Sequence, residues 1–418
     1  MEIIFYLIYN FVSEKFLRQK GKCSMEGIEK IYKKNTLFII LIGITGFCFG
    51  LLDWDSNLVD LVYLKYNNVF LISIVSANIG TARLIATLFC IKINTSQRPN
   101  FVFTTCMVLC SLIAIITALC FDAQLTALFV ITYLLEVLIL EIFSGYHYAY
   151  AYNSLPEEKA MNAHSKRISV FKILQAAGIA TAGFVCAKFI NNAFLIISIL
   201  ATIVFAIAII FVTQVKNFPK VKEEKKDNII KKLNIFQYTK YFRKWFLIRI
   251  LGRFALSSLI VLLSLRVIDN GQNLVVLKSV KSLLWILSGV GFFLSSYLIK
   301  KKWLVKGDII IKTLIAVLLP IVFIFPDIIF VIILLDGVLN PFNTMSHLEM
   351  LRKDEDNINV PQKDMVINLA GYIAKMISAY ILLNINSNIA LIIIVILLIL
   401  STFFEYRLYK SKVNQANN

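Results

Sequence analysis

The sequence predicts an all-α polytopic membrane protein, with about twelve transmembrane helices in two pseudo-symmetric six-helix bundles. Three observations predict it. The 418-residue chain is 59% hydrophobic, with a mean hydropathy of +0.77, and its apolar stretches reach the roughly twenty residues that a bilayer demands. One long polar break, 214–242, separates six such stretches from six more. Basic residues, the source of a net charge of +18, collect in alternate loops as the positive-inside rule expects. That placement assigns the charge to topology and anionic headgroups, not to nucleic acid.

Residues 1–35 form a cytoplasmic or interfacial N-terminal segment. MEIIFYLIYNFV is too short to span, so it is an interfacial helix, or else translation begins at Met25. The N-terminal bundle takes residues 36–213. Its first span ends outside at Asp53 and Asp55, the second holds Arg83, and the third (101–121) holds no charge. The fourth holds Glu136 and Glu141, the fifth Lys172, and the sixth (192–213) is again bare. A basic cytoplasmic linker, 214–242, leads to the C-terminal bundle, 243–410. Arg249 and Arg253 lie in span seven, Lys278 and Lys281 in span eight, Asp336 in span ten and Lys375 in span eleven. Spans nine (313–326) and twelve (388–404) carry no charge, and 411–418 is a cytoplasmic tail. Pro320 and Pro341, inside spans nine and ten, would kink them. An even number of spans with basic inner loops puts both termini in the cytoplasm.

Every third span is therefore bare. A charge in hydrocarbon costs about 2.5–3.5 kcal/mol even on the lenient insertion scale, so charged spans face a wet cavity or a partner while bare ones can face lipid. Eight cavity-lining and four peripheral helices, in two matching halves, make a plan suited to transport. The seven cysteines form no CxxC pair and sit mostly inside spans, as small apolar fillers, with no metal or other cofactor expected. No GxSxG, HExxH, P-loop or strand-borne GxGxxG occurs, and no enzymatic activity is expected.

The segment NSLPEEKAMNAHSKRISVFKILQAAGIATAG (153–183) carries a resemblance. With Leu155, Pro156, Glu157, Glu158, Asn162, Lys166, Arg167, Gly178 and Gly183 it resembles the loop between spans four and five of the major facilitator superfamily. The six-plus-six plan resembles that family over residues 36–410. The family's Gly-x-x-x-Asp-Arg-x-Gly-Arg turn after span two is replaced here by CIKINTSQRPN (90–100), which lacks the glycines and the acid. Its counterpart in the second half, IKKKWLVKGD (299–308), keeps the base without the acid in register. The resemblance implies alternating access of two bundles around a midplane site.

Candidate residues follow from depth. Glu136, Glu141 and Asp336 are the candidate proton-coupling acids. Arg83 is the natural counter-charge of the first two, unless the pair merely holds helices together. Arg249 and Arg253 share a helix face at i, i+4, as Lys278 and Lys281 do at i, i+3, with Trp285 one turn further. Asp336 is the single deep acid found opposite these cations, which leaves a positive half-cavity for an anionic or zwitterionic substrate. The competing reading has Arg249 and Lys278 snorkelling to headgroups. Arg83, Arg253, Lys281, Trp285, Lys375 and Tyr146 are the candidate substrate contacts. The tyrosines from Tyr146 to Tyr152 form either an aromatic belt or a stacking wall; His147, a helix-end histidine of the type that can switch near physiological pH, reads as simply hydrogen-bonded, and His164 and His347 read as loop or interface residues.

The expected function is secondary active transport of a small organic molecule across a bacterial cytoplasmic membrane by a monomer. Proton-coupled efflux of an amphiphilic or anionic compound leads. Import of an organic anion or nutrient is one alternative, and a non-transporting receptor or immunity-type protein on the same scaffold is another.

Overall fold

The computed structural model describes residues 43–52, 59–93, 99–153, 157–189, 192–213, 238–271, 274–298, 303–352 and 360–417. The segment before the first span, Asp53, Asp55, most of the linker and the side chains of Tyr146, His147 and His164 lie outside the description. Every regular element among the described residues is an α-helix. Residues 43–51 (α1) and Val59–Tyr66 (α2) belong to span one. Spans two to six are α3 (Val69–Ile93), α4 (Pro99–Asp122), α5 (Thr126–Asn153), α6 (Glu157–Lys188) and α7 (Ala193–Thr213). Span seven is α8 (Lys240–Ser257) followed by α9 (Leu259–Asp269). Spans eight to twelve are α10 (Leu274–Leu298), α11 (Leu304–Ile321), α12 (Ile328–Arg352), α13 (Val360–Leu383) and α14 (Ser387–Asn417).

Ten stretches of the described chain are long and apolar enough to cross a membrane. Span nine is not among them because the 18 residues of α11 carry Lys306, Asp308 and Lys312. Span seven is broken at Ser258 (φ −102°, ψ −5°). There the carbonyl of Phe254 accepts from Ser378 Oγ at 2.7 Å, and the hydroxyls of Ser258 and Ser378 meet at 2.9 Å. Hydroxyls thus take over backbone bonding that the break disrupts, as a helix at membrane depth requires. Pro320 and Pro341 lie inside α11 and α12, as the sequence places them.

The end at which α7 stops and α8 starts is called the linker end here, and the other the far end. Packing repeats when six is added to a span number. Spans two and four pack together, as do eight and ten; three and four pair like nine and ten; three and six pair like nine and twelve. Two seams join the lobes, α3 on α13 and α6 on α10, and the same operation exchanges them. Close approach comes from glycine: a Cβ on Gly50 of α1 or on Gly178 of α6 would collide with the other helix's backbone. The peripheral spans turn apolar stripes outward, such as Ile199, Ile203, Ile207 and Ile210 on α7.

Candidate functional site

Deep polar groups gather at three levels. At the far end, Asp60 on α2 is fully buried between two lysines of the opposite lobe. Its Oδ2 lies 2.6 Å from Lys278 Nζ and 3.0 Å from Lys281 Nζ. Lys278 lies across Gly183 of α6, where an added methyl would stand 2.8 Å from its Cβ. Tyr63 donates to Asp269 on α9, and Asn384 Nδ2 donates to Ser73 Oγ at 2.9 Å, so further bonds cross between the lobes at this end. Lys278 is 2% exposed and Arg249 3%; neither snorkels.

Nearer the linker end, Arg83 Nε donates to Glu141 Oε1 at 2.8 Å, the side chains remaining 37% and 20% exposed. Arg83 therefore pairs with Glu141 and not with Glu136. Five residues turn a helix by about 140° beyond one full circle, so the two acids face different neighbours. Glu136 is fully buried beside Thr117 and Cys110 of α4, with no basic side chain paired to it among the described residues. Across the seam, Tyr372 and Arg253 lie within electrostatic reach of Arg83. Arg253 donates to Asn368 Oδ1 at 2.6 Å and to the carbonyl of Ile367 at 3.4 Å. Both acceptors are neutral. Gly371 makes room for it, since a Cβ there would overlap the guanidinium.

The third level is confined to the second lobe. Lys312 of α11 bridges Asp308 Oδ2 at 2.8 Å and Glu405 Oε2 of α14 at 2.7 Å. Asp308 also accepts from Ser346 at 3.0 Å and Asn343 at 3.3 Å, and lies 3.8 Å from Arg249. Arg249 in turn donates to Asn343 Oδ1 at 2.6 Å. The two acids and two bases are nearly inaccessible, and paired charges can be kept so where single ones cannot. His347, expected at a loop or interface, is instead 2% exposed beside this cluster. Trp245 Nε1, which can only donate, bonds its Nδ1 at 3.0 Å; the ring proton therefore sits on Nε2 and is given to Asp364 at 2.8 Å.

No family model matches the sequence, and no curated protein matches it. Solved structures do. A nucleoside transporter, NupG, superposes with a TM-score of 0.67 at 12% identity, covering 90% of this chain and 98% of that one. A D-xylose–proton symporter gives 0.69 at 12% identity, over 89% and 97%. A bacterial homologue of the iron transporter ferroportin, in an inward-facing state, gives 0.63 at 14% identity, over 92% and 99%. The chain has a major facilitator fold.

That fold was expected, but its charge distribution was not. The sequence pattern set five cations against Asp336 alone, whereas Asp60, Asp308 and Glu405 are all fully buried acids in the structure. Asp60 was missed because VDLVYLKY, which lies beyond the span end placed at Asp53 and Asp55, is itself helical. Asp308 and Glu405 were missed because α11 and α14 extend beyond the bare stretches 313–326 and 388–404. An acid embedded among apolar neighbours, as in LVDLV or FFEYR, was the available signal. Of the remaining candidates, Lys281 is held by Asp60, Lys375 is buried on α13, and Asp336 on α12 forms no ion pair among the described residues. Trp285 lies on the α6–α10 seam with Lys172 Nζ 3.8 Å from its ring centroid, and its Nε1 meets no acceptor there.

Proposed function

We propose that the chain is a secondary transporter that carries a small organic molecule across the membrane by alternating access of its two lobes. The observation that carries this reading is a buried ionic bridge between the lobes at the far end. Asp60 ties α2 to α10 at the far end, while the part-exposed Arg83–Glu141 pair lies toward the other end. A water-excluding bridge at one mouth with a wetter polar site below it is what one half of a transport cycle requires. The structural neighbours, a nucleoside transporter, a D-xylose–proton symporter and a homologue of an iron transporter, support the class without assigning a cargo.

Arg83, Arg253 and the indole N–H of Trp285 are the proposed substrate handles. Arg253 rests on neutral acceptors and can exchange them for a carboxylate or phosphate of the cargo. Glu141 is the proposed proton carrier, since a cargo anion that draws Arg83 away leaves its carboxylate without that counter-charge. Loading from the linker end, expected to be cytoplasmic, is export, and release to it is import.

The test uses spin-label pairs across the lobes, at Leu64 and Val275 for the far end and Phe101 and Trp303 for the linker end, all exposed positions. Alternating access predicts opposed distance changes at the two ends when pH or a screened cargo is varied. A single invariant distance at both ends under all conditions favours the receptor reading. Proteoliposomes with labelled nucleosides, sugars and organic anions, with and without a proton ionophore, then read cargo, direction and coupling.

A further inference from the structure

Between α11 and α14 the surface opens into an apolar groove of about 310 Å³. Ile309, Thr313 and Val317 form one wall, and Ile399, Phe403 and Tyr406 the other. The wall on α11 runs over eight residue steps, about 12 Å of helix axis. Of the three hydroxyls on its lining, Thr313 is committed to Ile309 O at 2.8 Å and Thr402 to Leu398 O at 2.6 Å, and the third, on Tyr406, stands at the linker end of the groove, so the walls between are apolar. Exposed Trp303 and Tyr406 mark the membrane–water interface at the linker end of this face.

The mouth of the groove at that level is cationic. Lys306 is three residues before Ile309, and Lys410 four after Tyr406, so each stands one turn further along the same helix face. Arg407 caps Phe403, its guanidinium 5.0 Å from the ring centroid. All three basic residues are exposed. The acids of this region, Asp308 and Glu405, point inward onto Lys312 and cancel none of that surface charge at contact distance.

We propose that this groove binds one anionic phospholipid of the linker-side leaflet, its acyl chain lying between α11 and α14 and its phosphate held by Lys306, Arg407 and Lys410. The lipid wedges the ninth and twelfth spans over the buried Lys312 bridge, from outside the lobe. A cation near an anionic headgroup is worth about fivefold in binding, so three give a preference on the order of 100-fold over a zwitterionic lipid, weakened by salt.

The full-length protein in mild detergent is titrated with phosphatidylglycerol, phosphatidylcholine and inorganic phosphate. Lipid retention is read by native mass spectrometry and stability by melting temperature. Phosphatidylglycerol should be retained in preference and raise the melting temperature, as any ligand of the folded form does. Lys306→Gln/Arg407→Gln/Lys410→Gln should reduce the preference to within about fivefold, with the lipid-free melting temperature unchanged. Val317→Trp, which fills the groove, should abolish retention of both lipids; if it does not fold, Ile399→Trp carries the same test. Arg243→Gln/Lys244→Gln, exposed at the start of α8, should change nothing. The proposal is overturned if the triple variant keeps the preference or the groove-filled variant keeps the lipid. Equal stabilisation by inorganic phosphate also overturns it, in favour of a plain anion site.

Discussion

Replacing Asp60 by Asn removes the carboxylate on which two buried ammonium groups converge. Deleting one partner of a buried ion pair costs about 3–5 kcal/mol, because the remaining charge stays desolvated. Here the partners belong to different lobes, so the cost falls on their contact and not on the fold of either. About 3 kcal/mol is roughly 150-fold, enough to turn a 99:1 preference for a closed far end into one near even. The assay is the distance distribution between labels at Leu64 and Val275, in a background without native cysteines. Asp60→Asn should add a long-distance population absent from the parent. The triple variant Asp60→Leu/Lys278→Met/Lys281→Met should close again, since apolar residues of similar volume replace buried ion pairs at little or no cost. An unaltered distribution in Asp60→Asn, with unaltered melting, refutes the claim that this triad holds the lobes together.

Arg83→Gln and Glu141→Gln should each lower stability by no more than about 1 kcal/mol, because the pair is part-exposed. Each should nonetheless abolish flux of whichever cargo the proteoliposome screen identifies; normal flux removes both from the site. Gly371→Ala should displace Arg253 and cost about 1–3 kcal/mol by overpacking. In an Arg253→Met background the same change should cost much less, and a double-mutant cycle on melting data that gives strict additivity would contradict the contact. Lys312→Met strips the shared base from Asp308 and Glu405 and should cost about 3–5 kcal/mol. Adding Glu405→Gln should recover part of that loss in chemical denaturation.

The twelve-span plan was legible because hydrocarbon thickness and the cost of bare backbone leave a sequence few alternatives. Pro320 and Pro341 inside their helices, and Arg83 beside a glutamate of span four, were readable from depth alone. Partner choice was not. Whether Arg83 meets Glu136 or Glu141 depends on rotation about the helix axis, and twenty residues of nearly uniform hydrophobicity encode rotation weakly. The acids that matter most, Asp60, Asp308 and Glu405, stand within a few residues of span ends, where a hydropathy boundary is least definite. His347 was misjudged for the same reason: four residues past Asn343, it looks terminal in sequence and is central in packing.

The repeated architecture conceals a difference in how the halves cohere. The fifth residue of α4 is Phe103, stacked edge-on to Phe143 at 5.6 Å; the fifth residue of α11, its counterpart, is Asp308 in its ionic cluster. At this position one lobe is held by packed aromatic rings, which accept another apolar side chain of similar volume, and the other by interlocking ions, which do not. Saturation mutagenesis scored by expression should therefore differ at these two matched positions, with apolar replacements accepted at Phe103 and rejected at Asp308, although both follow the same blueprint.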